Sequence, residues 1–133
     1  MRNPILLVCC TSIIAMTSCI QTQTFDNING MELTYKYENW NSYHVKFLEE
    51  GMYYQFLSGS KPDKWWGPFP YKMYVTDHGE YLISWYEEGY GDYITLLVNL
   101  EKKKLFGTGV VYAKDGVMTT FKEAKISQIV LPE

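Results

Sequence analysis

Short stretches in which polar and apolar residues strictly alternate cover most of the chain after residue 30. In the stretch 31–37, the side chains of Met31, Leu33, Tyr35 and Tyr37 would all point to one side of an extended chain. This period of two indicates half-buried β-strands, and turn-forming residues separate one stretch from the next. We predict strands at 31–37, 42–48, 52–58, 71–77, 80–87, 92–99, 104–112, and 117–122 together with 124–131.

Hairpin turns make up nearly all of the connections between these strands, and no amphipathic helix is predicted. Such a chain forms a sandwich or a barrel, and we favour an all-β, antiparallel up-and-down barrel of about eight strands, because closure removes the sheet edges. A barrel of this size can hold one small ligand. Gly107 and Gly109 indicate a bend or bulge inside one strand. The stretch 59–70 contains three Pro and two Gly, so we predict an irregular loop whose Trp65 and Trp66 cap the barrel as a plug or a lid.

The start of the chain predicts a targeting signal rather than folded structure. One Arg precedes an apolar run at 5–16, which is shorter than the about 20 residues that span a bilayer. The small residues before Cys19 resemble the lipobox of bacterial lipoproteins, in which the Cys is acylated, for example with palmitate, and the chain is cut just before it. We therefore expect a signal peptide at 1–18, a lipid-anchored polar tether at 19–30 and a barrel domain at 31–133. Ordinary cleavage, which would leave Cys19 as a free thiol, is the alternative.

Composition excludes several classes of function. After residue 18 the chain has 11 Lys, no Arg and 15 acidic residues, so it lacks the positive charge of a nucleic-acid-binding protein. The 22 aromatic residues argue against disorder. His44 and His78 stand apart, and no Cys or paired carboxylate lies at metal-ligand spacing, so we predict no metal and no cofactor.

Two groups of polar side chains fall on the predicted inner face. In the stretch 80–87, Glu87 shares a face with Trp85, so its carboxylate either lies inside the barrel or, if the strand ends at Trp85, in solvent at the rim. Tyr35 and Tyr37 lie two residues apart on one face. Their hydroxyls could grip a carboxylate or another acceptor-rich ligand, or they could simply belong to core aromatic residues.

Three segments resemble the phenolic acid decarboxylases and the related MoaF-like proteins. They are Tyr-Lys-Tyr-Glu-Asn at 35–39, Ser-Gly at 58–59 followed by Lys-Trp at 64–65, and Glu-Tyr-Leu-Ile-Ser-Trp-Tyr-Glu at 80–87. The resemblance extends over about 31–112, roughly two-thirds of the chain. It implies a calycin-type, lipocalin-like β-barrel. In the decarboxylases, two Tyr are thought to hold the substrate carboxylate, and a Glu acts with an Arg at the para-hydroxyl end.

The chain departs from the decarboxylase pattern, because Lys64 stands at the Arg position and the C-terminal region is shorter. A Lys does not reproduce the planar fork of a guanidinium. The leading hypothesis is therefore a lipid-anchored, MoaF-like barrel in the bacterial cell envelope that binds a small aromatic or amphipathic molecule. We expect these ligand contacts: Tyr35, Tyr37, Lys64, Trp65, Trp85 and Glu87.

Two alternatives remain from the sequence. The first is a cofactor-free carboxy-lyase that acts on hydroxycinnamate-like acids. The resemblance would then give catalytic roles to Tyr35 and Tyr37, which hold the carboxylate, to Glu87 as acid and base, and to Lys64 as charge partner. The second is an envelope protein-interaction module that docks a partner through its aromatic loop. The expected partners are a small-molecule ligand and the membrane through Cys19, and the sequence leaves open whether the chain forms a homodimer.

Overall fold

The computed structural model describes residues 23–132, and this part of the chain consists of β-strands and turns without a helix. It accordingly has no helix that is long and apolar enough to cross a membrane. The predicted signal peptide and Cys19 lie outside the described residues. The strands are β1 (Glu32–Tyr37), β2 (Ser42–Leu48), β3 (Gly51–Phe56), β4 (Trp65–Phe69), β5 (Tyr71–Val75), β6 (Tyr81–Tyr86), β7 (Tyr93–Asn99), β8 (Lys104–Ala113) and β9 (Gly116–Val130).

All nine strands belong to one antiparallel sheet in the order β4-β3-β2-β1-β9-β8-β7-β6-β5. The sheet curls into a nearly closed barrel, which confirms the predicted all-β up-and-down architecture. Every neighbouring pair is joined by a direct connection except β1 and β9, whose pairing brings the two ends of the domain together. The edge strands β4 and β5 follow each other in the chain and are separated only by Pro70.

The strand β4 lies where the sequence predicted an irregular loop. Residues 65–69 pair with β3, and the register shifts between Met52 and Tyr54. The prediction was wrong because an edge strand has only one hydrogen-bonded side, so Pro68 can occupy it without removing a bond from a second neighbour. The position of Gly67 requires a residue without a Cβ, because its φ is 122° and an added Cβ would lie 2.6 Å from the carbonyl oxygen of Met52.

Large apolar side chains fill one half of the barrel. The alternation predicted for β1 and β6 is present, since both strands bury every second residue. The largest fully buried side chains of the core are Tyr81, Phe47, Ile28, Met31, Leu33, Met52, Ile83, Leu96, Leu105, Val45 and Val98. Most of them lie towards the end of the barrel that holds the β2–β3, β5–β6 and β7–β8 turns, and we call this the packed end.

Both ends of the described chain lie at the packed end. The backbone N–H of Phe25 donates a hydrogen bond of 2.8 Å to the hydroxyl of Tyr81 at the start of β6. Ile28 is 1% exposed and belongs to the core, although it lies within the stretch 19–30 that the sequence predicted as a polar tether. Phe25 and Ile28 therefore pack against the core of the barrel, and β9 also ends on this side. The opposite end, which we call the open end, contains the β1–β2, β6–β7 and β8–β9 turns.

Candidate ligand-binding cavity

A cavity of about 240 Å³ occupies the half of the barrel next to the open end. Inward-facing side chains from the second halves of β1, β3, β6 and β8 and from the first halves of β2, β7 and β9 line it. These parts of the strands meet because neighbouring strands are antiparallel. Its lining consists of Tyr35, Tyr37, Trp40, Asn41, Tyr43, Val45, Tyr54, Phe56, Trp85, Glu87, Asp92, Ile94, Thr108, Val111, Met118 and Thr120.

Glu87 supplies a buried carboxylate to this cavity. The side chain follows Trp85 on the inner face just after β6, and Glu87 is 4% exposed. The indole Nε1–H of Trp85 donates to Oε1 at 3.0 Å, and the hydroxyl of Tyr54 donates to Oε2 at 3.1 Å. The backbone N–H of Glu87 donates to the carbonyl of Asp92 at 2.8 Å, which closes the turn behind it. The sequence left open whether the carboxylate lies inside the barrel or in solvent at the rim, and the structure places it inside.

Burial raises the pKa of the Glu87 carboxyl above its usual range. The hydrogen bonds from Trp85 and Tyr54 stabilise the charged form and oppose this rise in pKa, while the nearby charge of Asp92 adds to it. Among the lining residues in the described part of the chain, none is Lys, Arg or His. The carboxylate is therefore held by neutral donors rather than by a cation.

Tyr35 and Tyr37 lie side by side in the cavity wall. Their ring centroids are 5.5 Å apart in an edge-to-face arrangement, and Tyr43 stacks on Tyr35 at 5.7 Å. Burial, together with Tyr37 and Tyr43, raises the pKa of Tyr35 well above its usual value. Burial and Tyr43 raise the pKa of Tyr37 to about 12, although a hydrogen bond with Tyr35 opposes this rise. Both hydroxyls therefore stay protonated at neutral pH and can donate as well as accept a hydrogen bond.

Gly107 makes room for the hydroxyl of Tyr37. A Cβ at this position would overlap that hydroxyl, so any other residue would force the ring to move. The pairings of β8 with β7 and with β9 run in continuous register through Gly107 and Gly109. A β-bulge is thus absent at these residues. The reason for Gly107 is close approach of a side chain, which a sequence pattern does not distinguish from a bulge.

Most of the lining residues were not singled out in the sequence, and three of them, Tyr43, Tyr54 and Asp92, carry polar groups close to Glu87. Tyr43 was placed on an alternating face but was not singled out, and Asp92 was assigned to the start of a strand beyond a turn. Tyr54 stands in the run Met-Tyr-Tyr-Gln-Phe, where aromatic residues on both faces conceal which side is buried. A buried Glu without a nearby cation needs neutral donors, and that requirement was the signal that could have directed attention to a tyrosine on a neighbouring strand.

Lys64 and Trp65 lie outside the cavity. The Nζ of Lys64 is 3.5 Å from the centroid of the Trp66 ring, and the two residues border a separate depression on the surface. Trp65 faces the outer surface, where the Nζ of Lys46 is 4.0 Å from its ring centroid and the ring of His44 packs at 5.1 Å. The structure therefore brings together four of the six predicted contacts, namely Tyr35, Tyr37, Trp85 and Glu87.

Comparison with known proteins gives no family assignment, because no family model matches the chain and no curated protein is similar to it. Within residues 23–132, no group of three or more His, Cys, Asp and Glu side chains could hold a metal ion. The chemistry of the cavity therefore has to be argued from its own residues.

Proposed function

We propose that this protein is a calycin-like, MoaF-like barrel that binds a small aromatic or amphipathic molecule in its interior, anchored in the bacterial cell envelope through a lipid on Cys19. The observation that carries the proposal is a cavity with an aromatic lining, which lies beside the buried carboxylate of Glu87. A protein selected only for stability would fill such a space, because cavities in a core cost free energy.

The size and lining of the cavity limit the ligand. Its volume of about 240 Å³ is below the about 300 Å³ at which pockets for drug-sized molecules begin. A single ring with a short side chain suits this space. The rings of Tyr35, Tyr43 and Trp85 offer apolar surface, while Glu87 and the tyrosine hydroxyls offer polar contacts that fix the orientation of a ligand.

A pair of adjacent substitutions on β8 tests whether ligands enter the cavity. Val111 lines the cavity, whereas its neighbour Val110 points outward and is exposed. We expect Val111→Phe to fill part of the space and to weaken binding of small phenols by about tenfold or more, a change of about 1.4 kcal/mol or more in binding free energy. Val110→Phe adds the same atoms on the outside and should leave binding unchanged. Isothermal titration calorimetry with the purified chain measures both affinities.

The proposal fails if small phenols do not bind, or if Val110→Phe and Val111→Phe weaken their binding equally. Either result would mean that the cavity is not the binding site. Circular dichroism of both variants shows whether a loss of binding reflects unfolding.

A second candidate function is the decarboxylation of a hydroxycinnamate-like acid. It is favoured by the meeting of Tyr35, Tyr37 and Glu87 in one cavity, which is the arrangement that the resemblance to the decarboxylases implies. Lys64, the counterpart of their Arg, is not at the cavity, and this is why we place ligand binding first.

Turnover separates the two candidates. We expect p-coumarate and ferulate to keep their ultraviolet absorbance on incubation with the chain from about pH 5 to about pH 8, a range that covers the ordinary optimum of a carboxylate acting as acid or base. A loss of absorbance that Glu87→Gln abolishes would instead establish the enzyme.

A further inference from the structure

The interior cavity carries an unbalanced negative charge. Glu87 and Asp92 both line it, and no cationic side chain of the described residues does so. Asp92 is anchored at the rim, where its Oδ1 accepts a hydrogen bond of 2.7 Å from the backbone N–H of Tyr112. Two carboxyl groups face one small apolar space, and in such a space charge interactions are screened less than in water.

The Glu87 carboxylate also retains free acceptor capacity. Each of its oxygens receives one hydrogen bond, from Trp85 or from Tyr54. A carboxylate oxygen can accept two, so both oxygens keep a lone pair for a further donor. A charged donor such as an ammonium group would form the stronger, charge-assisted kind of hydrogen bond there.

Aromatic rings surround the same carboxylate. The ring of Tyr43 lies between those of Tyr35 and Tyr54, with centroid separations of 5.7 and 6.2 Å. The electron-rich faces of such rings attract cations, most strongly where water is excluded. One cation beside the cavity already uses this attraction, because the Nζ of Lys122 is 3.5 Å from the ring centroid of the lining residue Trp40. Lys122 is exposed and does not line the cavity.

These contacts rank three classes of ligand. An anion would stand beside Glu87 and Asp92 and would be repelled by both. A neutral molecule would gain apolar contact but would leave the carboxylates without a counter-charge. A cation with an apolar body would gain the apolar contact, the ring faces and the free acceptors of Glu87 together.

We propose that the ligand of this cavity is a small organic cation, a protonated amine or a quaternary ammonium on an aromatic or aliphatic body. This inference rests on the proposed ligand-binding function and narrows it to one chemical class. It differs from one of the interpretations that the sequence left open, in which Tyr35 and Tyr37 grip a carboxylate.

Three probes with the same hydroxyphenyl body test the charge preference. They are tyramine, which carries an ammonium, tyrosol, which carries a neutral hydroxyl, and 4-hydroxyphenylacetate, which carries a carboxylate. Calorimetry with the full chain at neutral pH should give an affinity for tyramine that is about tenfold higher than for tyrosol, with 4-hydroxyphenylacetate the weakest.

Matched variants assign the preference to the interior. Glu87→Gln keeps the shape of the side chain and removes its charge. It should therefore lower the affinity for tyramine by about tenfold and change the affinity for tyrosol by less than about twofold. Glu88→Gln removes the same charge from the neighbouring exposed position and should leave both affinities unchanged. If Glu87→Gln does not fold, Asp92→Asn replaces it with the same expected direction.

The outcomes are distinguishable. Equal affinity for the three probes, or a preference for the carboxylate, would overturn the cation inference and leave the ligand-binding proposal standing. A loss of tyramine binding in Glu88→Gln as large as in Glu87→Gln would also overturn it, because the attraction would then come from the net charge of the chain. Failure of all three probes to bind would overturn the cation inference and the proposed function together.

Discussion

At the scale of single residues, Glu87 shows what an alternating pattern can and cannot predict. The pattern over 80–87 placed the carboxylate correctly on the same face as Trp85, because side-chain direction in a strand is a local property. Its burial depends on Tyr54, which lies 33 residues away in the chain and donates a hydrogen bond to it. Periodicity holds no information on a partner at that distance, and for the same reason the sequence could not exclude a solvent-exposed rim position.

The buried carboxyl predicts a pH dependence of stability. Burial raises the pKa of Glu87 in the folded state above its value in the unfolded chain, so the folded state binds more protons between the two values. The free energy of unfolding should therefore fall as the pH rises through this window, by about 1.4 kcal/mol for each unit that separates the two pKa values. Glu87→Gln lacks this titration, so its stability relative to the parent chain should rise from about pH 4 towards neutral pH.

Urea denaturation of both proteins across this pH range measures the difference, in which the contributions of other titrating groups cancel. Glu88→Gln serves as the matched control, because it removes the same carboxyl group from the neighbouring exposed position. A relative stability of Glu87→Gln that stays constant, or falls, between acid and neutral pH would contradict the assignment of a raised pKa.

At the scale of elements, β4 is the strand that the sequence concealed. Its Pro and Gly residues read as a loop, and only the contacts of its aromatic residues explain why it is held on the barrel. Tyr90, in the turn after β6, packs edge-to-face on Trp66 at 5.5 Å and on Phe69 at 6.5 Å. On the inner side Tyr54 stacks on both of these rings at 6.4 and 6.3 Å. The turn after β6 thus bridges β4, at one edge of the sheet, and β6, the strand next to the other edge, a long-range contact that local propensity does not predict.

Removal of Tyr90 should loosen β4. Each edge-to-face pair contributes about 0.5–1.5 kcal/mol, so we expect Tyr90→Ala to lower the local stability of β4 by about 1–3 kcal/mol and to speed hydrogen exchange of its amides. Tyr86→Ala is the control, because Tyr86 is 52% exposed and Tyr90 is 53% exposed, and Tyr86 contributes none of the ring contacts to β4 that Tyr90 makes. Equal exchange rates of the β4 amides in the two variants would contradict the bridge.

At the scale of the whole molecule, the sequence predicted the barrel because its strands alternate regularly and its connections are short. It did not predict that one half is packed and the other hollow. That division depends on how side chains from different strands meet: Phe47 and Met52 fill the packed half, whereas Gly107 leaves space beside Tyr37. Strand patterns give the direction of each side chain, but the volume left between them is a property of the assembled sheet.

The position of Phe25 against Tyr81 at the packed end also sets an orientation. Residues 23–25 thus lie on the side of the barrel away from Trp40 and Asp92, which border the cavity. A lipid on Cys19, as proposed, would attach the molecule to a bilayer from the packed end, opposite the open end that holds the cavity. Exchange of the bound molecule would then take place with the surrounding aqueous phase, so the protein would sample dissolved compounds rather than extract them from the membrane.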